Sequence, residues 1–117
     1  MLKVAKSTKD KRIKAEFDRL NKIYQDLPGN ELELIQPLLR NAAFMKITLD
    51  DLSESINQHG ATEDYKNGEN QFGRKASADL QSYNATFKNY VALMVKLRDR
   101  LPAEKTDSKL EALMNIG

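Results

Sequence analysis

The chain has 117 residues, no cysteine and a net charge of +2, which fits one domain with a modest core and is too little charge to imply a polyanionic partner by itself. Without cysteine there is no disulfide scaffold, thiolate metal site or thiol nucleophile. No apolar run approaches the roughly 20 residues needed to span a bilayer, and "MLKVAKSTKDK" lacks the apolar stretch of a signal peptide, so a soluble, intracellular protein is expected.

Charge is segregated along the chain. Residues 1 to 14 hold Lys3, Lys6, Lys9, Lys11, Arg12 and Lys14 against Asp10 alone, residues 31 to 64 hold seven acids and two bases, and residues 65 to 101 hold seven bases and three acids. Residues 1–12 are expected to form a flexible basic arm. Such an arm contacts DNA phosphates by charge and gains affinity from counterion release without reading bases. A disordered, solubilising terminus has the same composition.

Residues 13–102 are expected to form the helical domain. The first helix, at about residues 8–27, starts near Ser7 or Thr8 and carries Ile13, Phe17, Leu20, Tyr24 and Leu27 as one apolar stripe. Pro28 and Gly29 end it. Asn30 then offers an N-cap, with Glu33 completing a capping-box pattern. A second helix, at about 31–58, places Ile35, Leu38, Ala42, Met45, Leu49, Leu52 and Ile56 at alternating steps of three and four. Pro37 either kinks it or marks the first turn of the helix proper. After a loop at 59–77, a third helix at about 78–101 repeats the spacing with Leu80, Tyr83, Phe87, Tyr90, Met94, Leu97 and Leu101, capped by Ser77 and stopped by Pro102.

Matched seams joined by a connection too long for a β-hairpin turn predict an all-α fold: a long antiparallel helical hairpin plus an N-terminal helix. Leu34, Leu39, Ala43, Phe44 and Ile47 widen the second helix beyond its seam, and Val91 and Val95 widen the third. The first helix can cover one flank, and the remaining apolar surface predicts a homo-oligomer. A self-contained three-helix bundle with scattered surface apolars is the alternative. In the tail, 103–117, Leu110, Leu113, Met114 and Ile116 make a short amphipathic segment that frays or docks on a partner.

The 59–77 connection contains "GENQFGRK", which nearly spells a phosphate-binding loop. No β-branched strand precedes it, Arg74 stands where the phosphate lysine belongs, and Lys75 replaces the hydroxyl residue that would hold magnesium. His59 is the only histidine and falls at a helix C-terminus, where a structural role is favoured. Asp50, Asp51 and Glu54 share one turn without a further ligand. No catalytic residues, metal site or cofactor are assigned, and no enzyme is expected.

The same connection carries the most specific pattern in the chain. "YKNGENQFGRKASADLQSYNATFKNYVALMVKLRDRLP", residues 65–102, resembles the C-terminal half of the small terminase subunits of tailed phages and prophages, in which an N-G-E-N-Q-aromatic-G-x-K-x-S loop precedes a Y-N-x-x-x-K-x-Y helix. Asn67, Gly68, Glu69, Asn70, Gln71, Gly73, Lys75, Ser77, Tyr83, Asn84, Lys88 and Tyr90 carry the match. Phe72 stands at the aromatic position, which tryptophan can also fill, and residues 42–57 look like the family's preceding helix. The N-terminal third matches less clearly.

The resemblance implies a non-enzymatic DNA-packaging component in the host cytoplasm. It would be a helical homo-oligomer, commonly a ring, that binds double-stranded viral DNA and regulates a large subunit supplying the ATPase and nuclease. Residues 108–117 are a candidate contact for that large subunit. A phage head-completion or other structural adaptor without DNA recognition is the alternative, and a helical DNA-binding regulator a third. Within the loop, Asn67-Gly68 fits a tight turn and Gly73 a second reversal. Tyr65 and Phe72 are expected to pin it, while Arg74 and Lys75 present charge at the helix entrance and join the candidate phosphate contacts.

Overall fold

The structure is a computed structural model, and it describes residues 2–66, 68, 72–101 and 106–114, the side chains of 2–7 and 106–109 excepted. Helices α1 (Leu2–Ile23) and α2 (Gly29–His59) are followed by an antiparallel hairpin of β1 (Thr62–Lys66) and β2 (Phe72–Ala76), then by α3 (Ala78–Arg98) and α4 (Thr106–Met114). The protein is mostly helical, as expected, but the all-α expectation omitted this small sheet.

Helix α1 begins at Leu2, so within the described residues the basic arm is helix. Neither Ser7 nor Thr8 starts it. The segment holds neither Gly nor Pro and is rich in Lys and Arg, with Leu and Ala among the rest, all good helix formers. Two side chains also tie this extension to α2: Arg12 Nη1 reaches Asp51 Oδ1 at 2.8 Å, and Lys9 Nζ stands 5.3 Å from the Phe44 ring centroid. At its other end α1 stops at Ile23, four residues before the expected limit, and tightens into a turn in which Leu27 N–H donates to Tyr24 O at 3.1 Å.

Helix α2 starts directly after Pro28, whose carbonyl accepts from Leu32 N–H at 2.9 Å. Asn30 therefore lies inside the first turn and does not cap it. The helix runs unbroken across Pro37, so Pro37 does not mark its start. Its C-terminus is closed by Gly60, whose φ of 94° is open to glycine at little cost and whose N–H donates to Ile56 O at 2.7 Å.

Burial follows the number of neighbours. Helix α2 lies between α1 and α3, so it buries a broad arc of Ile35, Leu39, Ala42, Ala43, Ile47 and Leu49. Leu38 of the expected seam is exposed, while the off-seam Leu39, Ala43 and Ile47 are covered. Helix α3 packs chiefly on α2 and buries only Tyr90, Met94 and Leu97. Phe87, expected in the seam, is 47% exposed and stacks on Tyr83 with ring centroids 6.0 Å apart. Among the described residues, nothing closes over the outer edge of α3 at Phe87, Val91 and Val95.

The expected Ser77 cap is present: its hydroxyl accepts from Leu80 N–H at 3.1 Å. Where α1, α3 and α4 converge, Leu20, Tyr24, Leu97 and Leu113 are fully buried, and the Tyr24 hydroxyl donates to Leu97 O at 2.5 Å. Helix α4 thus docks on the chain's own bundle. Arg19 grips Glu16 with two bonds of 2.8 and 2.9 Å and donates to Ala112 O at 2.8 Å, neutralising the C-terminal end of α4. That hydrogen bonding to Glu16 holds the Arg19 pKa above its ordinary value.

Candidate functional site

The connection between α2 and α3 is a β-hairpin whose register sets Glu63 opposite Lys75, Asp64 opposite Arg74, and Tyr65 opposite Gly73. Alternation puts Tyr65, Gly73, Glu63 and Lys75 on one face and Asp64, Lys66, Phe72 and Arg74 on the other. Tyr65 lies across Gly73 so closely that a Cβ there would come within 2.7 Å of the ring. This is the reason for glycine at that position, rather than the second reversal expected from sequence. On the opposite face Lys66 Nζ stands 5.6 Å from the Phe72 ring centroid. Gly68 in the turn has φ 92°, as the tight-turn expectation requires. Asn67, Glu69, Asn70 and Gln71 lie outside the described residues.

Gly73→Ala is expected to push the Tyr65 ring off the sheet and loosen the hairpin, because an isolated two-stranded sheet has little else to hold it. Faster tryptic cleavage at Lys66, Arg74 and Lys75 would register this. Unchanged cleavage would show that the Tyr65 contact is not what orders the strands.

Most of the described basic residues assigned to DNA already face a carboxylate. Arg12 and Lys9 share Asp51, Lys14 Nζ is 2.9 Å from Asp18, Arg74 Nε is 3.4 Å from Asp64, and Lys75 Nζ is 3.6 Å from Glu63. Arg74 also donates to Thr62 Oγ1 at 2.6 Å. Lys11 is exposed, while the side chains of Lys3 and Lys6 lie outside the described residues. These candidates form two separate groups, one on α1 and one on the hairpin. All the pairs are partly exposed, where an ion pair contributes only about 0–1 kcal/mol, so a phosphate can replace the carboxylate.

At the base of the hairpin, the Ser55 hydroxyl donates to the Asp79 carboxylate, and His59 Nδ1–H donates to Ser55 O at 3.1 Å. A serine nucleophile would need histidine as its proton acceptor and the carboxylate behind the histidine. Here the carboxylate takes the serine proton directly, so the trio clasps the end of α2 to the start of α3. Of the acidic turn considered as a cation site, Asp51 is committed to Arg12 and Asp50 accepts from Lys46 at 2.6 Å.

An open groove among the described residues is apolar. Phe87, Val91 and Val95 of α3, with Met94 beneath and Met114 of α4 at the rim, line a groove of about 220 Å³. Leu34 and Phe44 of α2 are also exposed. Tyr90 lines the groove as well, with its hydroxyl buried and without a hydrogen-bond partner among the described residues, and burial pushes its pKa up to about 12. Burial moves Tyr24 in the same direction.

No protein-family model, curated protein or solved structure matches the chain. Among the described residues, no helix is long and apolar enough to cross a membrane. Sequence reasoning missed the roles of Glu63 and Asp64 as cross-strand partners of the hairpin bases. The signal was there in two five-residue runs flanking Asn67-Gly68, one acidic and one basic. It also missed Asp51 as the anchor of the basic helix and the Arg19 grip on α4.

Proposed function

We propose that the chain is a small terminase-type subunit of viral genome packaging. It assembles with copies of itself, binds double-stranded DNA through the basic face of α1, and recruits or regulates a separate large subunit carrying the ATPase and nuclease. The observation that carries this reading is the exposed apolar strip of Phe87, Val91, Val95 and Met114. On a thin chain measuring 63 × 32 × 23 Å, such a strip is the mark of a surface covered in the working state. The packaging role itself draws on the sequence pattern from Asn67 to Ser77 and on Tyr83, Asn84, Lys88 and Tyr90. Because Leu113 is seated in the chain's own core, the large subunit would meet the outer side of α4 rather than a detached tail.

Two measurements test the reading. Native mass spectrometry at micromolar concentration is expected to give multiples of 13.3 kDa, and monomer alone would remove its main support. Replacing Lys3, Lys6, Lys11 and Lys14 together by Gln is then expected to weaken duplex binding and flatten the log–log salt slope by about 0.9 for each phosphate no longer neutralised. An unchanged slope would move the DNA contact off α1. The second reading, an assembling phage adaptor without DNA recognition, is favoured by the ion pairing of Lys9, Arg12, Arg74 and Lys75. It predicts an oligomer with no salt-dependent duplex binding.

A further inference from the structure

We infer that the β-hairpin is an assembly element, in which the β1 edge of one copy pairs with the β2 edge of the next. The inference rests on the proposed self-assembly and adds which strands meet and in what order. Among the described residues the sheet has two strands only, so each has one edge with no strand beside it. All of β1 is exposed, as are Phe72, Arg74 and Lys75 of β2, and among the described residues no helix closes over either face of the hairpin. An open edge is a template for another strand, and a lone two-stranded sheet gains most from acquiring one.

Charge selects the partner. Strand β1 carries Glu63 and Asp64, and strand β2 carries Arg74 and Lys75. Within one copy the acids sit directly opposite the bases. A second copy adding its β1 beside β2 in the same register would place its own Asp64 and Glu63 on the far flank of Arg74 and Lys75, so each base lies between two acids. Pairing β2 with β2 about Arg74 sets arginine against arginine, and pairing β1 with β1 about Asp64 sets aspartate against aspartate. The favoured contact joins unlike edges. It is therefore head-to-tail and continues from copy to copy until the assembly closes.

The test is self-sorting. A chain carrying Glu63→Lys, Asp64→Arg, Arg74→Asp and Lys75→Glu keeps its internal pairs with every sign reversed. It opposes like charges wherever its hairpin meets a wild-type edge. The reversed and wild-type chains have the same composition, so one is made with nitrogen-15, and the two are co-refolded and weighed by native mass spectrometry. Assemblies of one chain type only, without mixed assemblies, are the expected result. Statistical mixing would overturn the edge pairing while leaving self-assembly in place, and monomer alone for the wild type would overturn both.

Where the reversed chain fails to assemble by itself, cysteine crosslinking decides, since the protein has no cysteine of its own. Chains carrying Thr62→Cys and Ala76→Cys are expected to crosslink to each other under oxidation, while neither crosslinks to itself. Equal crosslinking in all combinations, or none, would overturn the pairing.

Discussion

Leu97→Ala and Leu39→Ala are each expected to lower the stability of the fold by about 2–5 kcal/mol, whereas Phe87→Ala costs roughly 1–2 kcal/mol, because cavity and transfer terms scale with what is actually covered. Leu97 and Leu39 are fully buried, and Phe87 is half exposed. Leu39 belongs to the broad buried arc of α2, and Leu97 lies where α1, α3 and α4 converge. Leu97 adds a second liability, since its carbonyl accepts from the Tyr24 hydroxyl and from Arg100 N–H. A shift in the end of α3 would therefore disturb the α1–α3 tie as well. Urea unfolding of the three variants provides the check. If Phe87→Ala proves as costly as Leu97→Ala in dilute protein, the groove is closed within one chain and the case for its being an interface falls. If the cost of Phe87→Ala grows with protein concentration, the missing area is being supplied by another copy.

The contrast between Phe87 and Leu97 also shows how far the sequence could be read. Helical period placed α2 and α3, and Ser77 was legible as a cap because a hydroxyl preceding an apolar repeat has one common use. The phase of burial was less legible. A heptad seam assumes one partner, but α2 has two and buries a wider arc, so Leu39, Ala43 and Ile47 go in while Leu38 stays out. Helix α3 packs chiefly on α2 until its end meets α1 and α4, and Phe87 and Val91 are left outside. The charge of the N-terminus points to an arm, but its propensity points to a helix, since residues 2–23 contain no helix breaker. In the hairpin, Asn67-Gly68 was recognised as a turn. TEDYK and FGRKA on either side of it are not legible as strands, since charged five-residue runs carry little of the alternating apolar signal on which strand assignment depends.

Raising the pH from 10 to 12 is expected to destabilise the fold through its two buried tyrosines, with Tyr90 alone contributing roughly 2–3 kcal/mol at about 1.4 kcal/mol per pKa unit. The sign follows from where the proton is held. In the unfolded chain a tyrosine releases its proton near pH 10, while in the fold burial holds the Tyr90 proton up to about 12. Below pH 10 both states are protonated and the hydroxyl contributes no pH dependence. Between 10 and 12 the unfolded state alone ionises, so stability falls as pH rises, and above 12 the loss is complete. Tyr24 is shifted the same way by burial and extends the fall to still higher pH. The measurement is a comparison of slopes between the wild type and its variants. Tyr90→Phe is expected to flatten the fall in stability between pH 10 and 12 and, at neutral pH, to be neutral or stabilising, because it removes a buried hydroxyl with no hydrogen-bond partner among the described residues. Tyr24→Phe is expected to cost about 1 kcal/mol at neutral pH, through the lost bond to Leu97 O. Should Tyr90→Phe instead destabilise at neutral pH by as much as Tyr24→Phe, its hydroxyl has a partner in solution. The groove it lines would then be polar at its floor, and an apolar interface over Phe87 and Val91 would need a different register.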